Sequence, residues 1–278
     1  MSDSEDESRK WYSVERADFA LRCRRPKDVC SQQPRIPSWF YALYRFALAV
    51  YFFACLITFA VQGADMLGAK FLIYLTDWTY IVATCYTCFA FFNIVVDFLK
   101  SRESAAIEDT LRYQIQWCLF NITATPSLIV TVVYWLALYP FMDEKLPVFL
   151  DVSFHLLPAI VCIVEVFVTL IEVRFVHVVY PLSYLLIYLI FAVIYWAAGG
   201  TDPLGNPFIY PIIDFGNYPG IAAVTSVGVC LATLLAQASL KGLYALRVRC
   251  IDRRRTEAVP CTPHVEVSAV ELETQTAA

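Results

Sequence analysis

Six long, predominantly apolar stretches, at residues 39–61, 72–99, 115–139, 148–173, 178–198 and 218–243, decide what this chain of 278 residues folds into. At a rise of about 1.5 Å per residue, roughly twenty residues of helix cross the hydrocarbon core of a bilayer. Hydrophobic residues make up 59% of the chain and charged ones 17%, a balance that excludes an ordinary soluble domain. The expected fold is all-α, a polytopic membrane bundle of six transmembrane helices over residues 39–244. A partly disordered cytosolic arm (1–38) is expected before it, and a disordered cytosolic tail (245–278) after it. No apolar core follows the acidic, serine-rich start, so no cleavable signal peptide is expected.

The 21 Lys and Arg residues orient the bundle. With both termini cytosolic, Arg45 lies inside a span and only Lys70 and Lys145 fall in outer loops; the others occupy the arm, the inner loops and the tail. That asymmetry obeys the positive-inside rule, and a five- or seven-span count spoils it. The location expected is an integral one, in the plasma membrane or an endomembrane. Basic arms beside a membrane are explained by topology and anionic lipid, so membrane lipids are the expected partners and nucleic acid is not. The sequence specifies no protein partner.

Ionisable groups at membrane depth are costly and mark functional candidates. His155 and Glu165 both lie in the fourth stretch. Counted from the outer face, His155 sits about 10 Å deep, a level at which the second span presents Thr76 and Asp77. A hydroxyl becomes a useful nucleophile when a neighbouring imidazole takes its proton, and histidine titrates near neutrality. Asp151, four residues before His155, shares its helix face and is one candidate to orient the ring; Asp77 is the other. On composition alone, a threonine bonded to its own preceding turn and a histidine tying two helices together are the more frequent roles. Glu165 and Asp97 are expected to be structural hydrogen-bond partners.

Other signals carry less. Cys85 and Cys88, in CYTC, lie mid-helix with no partner pair and are expected as small buried hydrophobes. Cys250 beside Arg247 and Arg249 is a candidate for acylation or a plain thiol. Asn121-Ile-Thr matches a glycosylation sequon but falls inside a span. His155 and His177 are expected at opposite ends of one helix, about 33 Å apart, so no metal site is expected, and no organic cofactor. The connection between the last two spans, 197–220, is Gly- and Pro-rich and is expected as an ordered loop or a lid over an outward cavity.

Several blocks resemble the rolling stone family of multi-pass membrane proteins: WFYALYRFALAVYF, KFLIYLTDWTY, CLFNITATPSLIVTVVYW, the Phe154-His155 pair, and the run from HVVYPLSY to PIIDF. That family is similar, more distantly, to the androgen-induced family of membrane hydrolases, which cleave fatty-acid esters of hydroxy fatty acids with an intramembrane Thr and His. The resemblance places Thr76 and His155 at those two positions. It implies an intramembrane threonine hydrolase acting on fatty-acid esters, with Thr76 as nucleophile and His155 as base. The rolling stone branch is itself associated with myoblast fusion, so a non-enzymatic role in cell fusion or adhesion is the alternative.

Overall fold

The computed structural model describes residue 21 and residues 26–100, 110–142 and 147–252. Most of the arm and tail, together with Cys23, Arg102, Lys145 and Cys261, lies outside the described residues. In hydrocarbon every backbone polar group must be satisfied within the protein, so apolar runs of this length become helices. They are α1 (Ser38–Leu67), α2 (Leu75–Lys100), α3 (Thr110–Val133), α4 (Val148–His155), α5 (Leu157–Val168), α6 (Val179–Ala197) and α7 (Pro219–Arg247). Five of the continuous helical segments are long and apolar enough to cross a membrane; α4 and α5, bent by 45°, make a sixth if counted as one span. Their outward faces carry residues such as Phe53, Ile187, Val224 and Leu235, as lipid contact requires.

α3 is the central helix, touching α2, α5, α6 and α7. Around it Tyr86, Trp117, Phe120, Cys162 and Val166 form the inner core, and Phe52, Tyr80 and Phe154 form a second cluster between α1, α2 and α4. α3 continues into a π-helical turn, Tyr134–Leu138. Such turns shift side-chain register locally and often occur at functional sites.

The fourth span departs from expectation. It is not one helix to residue 173: it bends at Leu156 and ends at Val168. Pro158 explains the bend, because it lacks the N–H and its ring crowds the preceding turn. Beyond Thr169 the backbone is extended, and His177 sits on a separate 3-10 turn, Phe175–Val178, that leads into α6. His155 and His177 therefore do not share a helix. His177 is buried with its ring 4.8 Å from that of Trp117.

Residues 31–33 seal this break. Gln33 N donates to Val168 O, Leu170 N to Ser31 O, and the Gln33 amide to Thr169 O. From the other side, one guanidinium nitrogen of Arg247 reaches the carbonyls of Val166, Thr169 and Ile171 at 2.8–3.1 Å.

The CYTC expectation also needs correcting, since Cys85 is exposed and Cys88 only half-buried. The azimuth of each residue on the helix, invisible in a uniformly apolar segment, decides this. Asn121 is buried and donates to Trp117 O.

Candidate functional site

Where the chain enters α2, the backbone donors are unevenly satisfied. Leu75 N donates to Tyr210 Oη at 3.0 Å, and Asp77 N and Trp78 N both reach Tyr74 O. Thr76 lies in this first turn. The first amides of a helix carry the positive end of its dipole, which favours an oxygen with negative charge beside them.

His155 closes α4. Its Nδ1 lies 3.2 Å from the Asp151 carbonyl oxygen and 3.7 Å from Asp151 Oδ1. A hydrogen bond to a carbonyl requires Nδ1 to carry the proton, which leaves the basic lone pair on Nε2. The ring stacks on Tyr134, with centroids 3.3 Å apart and planes within 5°. The Tyr134 hydroxyl donates to Asp151 Oδ1, so phenol, carboxylate and imidazole hold one another. Asp151 Oδ2 is buried with no hydrogen bond among the described residues.

Thr76 and His155 line the same cavity, of about 690 Å³, on whose wall Asp77, Tyr74, Tyr134 and Tyr210 also lie. No hydrogen bond joins Thr76 to His155; the cavity lies between them. Thr76, Tyr134, Leu138, Tyr210 and Ile212 also line a second space of about 120 Å³, whose other lining residues, from α2, α3, α6 and α7 and the segment before α7, are mostly apolar, so the two spaces adjoin. The structure therefore brings Thr76, Asp77 and His155 to one space and sets Asp151 directly behind the imidazole. Of the two candidate orienting carboxylates, only Asp151 approaches the ring; Asp77 faces the cavity instead.

The segment after α6 covers the site. Its two turns are each built on an aspartate: Asp202 accepts from the amides of Leu204 and Asn206, and Asp214 from those of Gly216 and Asn217. Gly205 supplies the positive φ of the Asp202 turn, at 89°, and Gly199, at 77°, lets the chain leave α6. The hydrogen bond from the Asn217 amide, reinforced by the Asn217 side chain and the Gly216 amide, holds the Asp214 carboxyl below its usual range. Lys70 pins the segment by donating to Thr201 Oγ1 and Asp202 O at 2.8 and 2.9 Å.

Two site residues escape sequence reasoning. Tyr134 is visible only as part of the VVYW block, and its bridging of Asp151 and His155 depends on the register of α3 against α4. Tyr210 reads as a loop aromatic, although its hydroxyl caps the α2 entry. Away from the cavity, Glu165 and Asp97 have the structural roles expected of them: Glu165 pairs with Arg45, and Asp97 takes hydrogen bonds from Arg112 and Tyr113.

A family model described as protein rolling stone matches residues 11–267. Protein rolling stone of Drosophila melanogaster is 30% identical over 246 residues, covering 85% of this chain and 86% of that protein. No solved structure matches. With membrane-length helices throughout and a match that runs from the arm into the tail, this chain belongs to the rolling stone family.

Proposed function

We propose that this protein is an intramembrane hydrolase of lipid esters. One observation carries the reading: a hydroxyl and an imidazole whose Nε2 keeps the lone pair line a common cavity that adjoins a largely apolar space. Thr76 Oγ1 attacks the ester carbonyl while His155 Nε2 takes its proton. In this scheme the Thr76 N–H, in the first turn of α2, stabilises the developing oxyanion. His155 returns the proton to the departing alkoxide, and a water it deprotonates then cleaves the acyl-threonine to free acid and enzyme. No metal or cofactor enters this scheme. The Lys and Arg distribution supports placing both termini in the cytosol, so that the cavity faces the outer leaflet.

A second reading, a non-enzymatic membrane protein acting in cell fusion or adhesion, is favoured by the hold on His155. Its ring is stacked on Tyr134 and bonded to its own helix, without a bond to Thr76. One experiment separates the two. The protein, purified in detergent, is given a fluorophosphonate probe and long-chain fatty-acid esters, beside Thr76→Ala and His155→Ala. The enzymatic reading expects labelling and turnover that fall by at least about 10²-fold in either variant. Equal behaviour of all three, or none at all, overturns it in favour of the second.

A further inference from the structure

We infer that the cavity selects an amphiphile whose head carries an ammonium group, with Asp77 as its counter-ion. For an ester substrate this rests on the reading above; the head-group preference stands independently of it.

Asp77 is 5% exposed, lines the cavity and accepts no hydrogen bond among the described residues. A buried carboxylate normally has a cation or several donors around it. Here the lining holds no Lys or Arg. The nearby Lys70 is committed to Thr201 and the Asp202 carbonyl. Asp151, the other acid of the region, already has the Tyr134 hydroxyl. The side chain left without a partner is the one on the cavity wall.

What surrounds it is aromatic. Phe59, Phe71, Tyr74, Tyr134, Phe154 and Tyr210 all line the space. Aromatic faces around a carboxylate are the chemistry that recognises alkylated ammonium ions, which bind ring faces without demanding hydrogen bonds. A carboxylate head placed here meets Asp77 as a like charge and finds no basic side chain. A neutral polyol head gains no charge attraction from Asp77, and the Tyr134 and Tyr210 hydroxyls on the wall already have partners.

The rest of the ligand follows from the shape. The adjoining channel, lined by Ile129, Val133, Leu185, Leu189 and Val229, accepts an alkyl chain. Thr76 lies on the lining of both spaces, so a bond linking head to chain passes beside its hydroxyl. The ligand class is therefore a single-chain lipid with an ammonium head. In the hydrolytic reading it is an ester between a long-chain acid and an amino alcohol.

The test uses three probes with no ester bond, matched at fourteen carbons: tetradecyltrimethylammonium, tetradecanoate and a tetradecyl glycerol ether. Binding to the purified wild-type protein in uncharged detergent is read by native mass spectrometry. The expected order places the ammonium probe about tenfold tighter than either of the others. Asp77→Asn should erase that preference while leaving the glycerol ether unchanged, and Phe71→Leu should weaken the ammonium probe several-fold with Asp77 intact. If Asp77→Asn does not fold, the Phe71→Leu result and the wild-type order decide. Equal or tighter binding of tetradecanoate overturns the inference. So does equal or tighter binding of the glycerol ether, which would mark Asp77 as a neutral hydrogen-bond donor. Because no probe can be hydrolysed, an ammonium preference without esterase activity retires the hydrolytic reading alone, and activity without the preference retires this inference alone.

Discussion

Arg45 and Glu165 stand 120 residues apart in the chain and meet in a fully buried bidentate pair, at 2.9 and 2.6 Å. The carboxylate also accepts from the hydroxyls of Tyr44 and Tyr86, at 2.8 and 2.9 Å, and Tyr41 accepts from the other edge of the guanidinium. Every strong donor and acceptor in the cluster is used, which is the condition under which a buried pair is tolerated.

Removing one partner should therefore cost far more than removing both. Arg45→Met is expected to destabilise by about 3–5 kcal/mol, because Glu165 is left charged in the core. The double variant Arg45→Met/Glu165→Met should recover much of that loss. Thermal unfolding of the four proteins of the cycle in one detergent checks it, and additive losses would contradict it.

Tyr134→Phe removes the hydroxyl that donates to Asp151 but keeps the ring on which His155 stacks. Both Asp151 oxygens then lack a partner, so stability should fall by about 1–3 kcal/mol. In the hydrolytic scheme kcat should fall only several-fold, because the Nδ1 contact with the Asp151 carbonyl survives. A loss of activity as large as that of His155→Ala would instead place the phenol in the chemistry. Melting temperature and ester turnover, measured on the same preparation, answer both points.

The turn around Asp214 should respond to acid in one direction. Its carboxyl is held below its usual range in the folded protein, so its stabilising contribution is present above the unfolded value, about 3.9. It is lost as pH falls through the lower, folded value. Asp214→Ala should thus lower the melting temperature at neutral pH, and the gap to wild type should narrow below about pH 4. Paired melts across pH measure it; a gap that widens in acid would be inconsistent.

Arg247→Met strips three carbonyls, those of Val166, Thr169 and Ile171, of one shared donor group. A loss of at least about 2 kcal/mol is expected. Faster hydrogen exchange should appear at 168–172, with the α2–α4 cavity unaffected. Arg247→Lys should restore part of the loss, since an ammonium reaches fewer of the three oxygens at once.

The span pattern was legible because the bilayer dictates it: apolar length and the placement of Lys and Arg need no knowledge of packing. The bend at Leu156 was legible in principle from Pro158, yet the exit at Thr169 was not. Residues 157–173 stay largely apolar, and what ends the helix is distant, namely Ser31, Gln33 and Arg247. Within the site, the depth expected from the span pattern brings Thr76, Asp77 and His155 to one level. Which carboxylate faces the ring depends on helix azimuth, and there the four-residue spacing of Asp151 and His155 outperforms the depth argument for Asp77. Tyr134 lay beyond reach because its position comes from a π-helical turn, which leaves no periodic trace in so short a stretch.

The seam between Gln33 and residues 168–169 sets an order of assembly. A segment made before the first span pairs with one made after the fourth, closing a loop of 136 residues. The earliest part of the bundle thus waits, incomplete at its edge, until four spans have been inserted. Loop closure of that length is slow compared with neighbouring-helix contact. Truncated chains ending before residue 168 should then expose 26–37 to protease, whereas chains that include it should protect them, making this seam a natural checkpoint for the nascent protein.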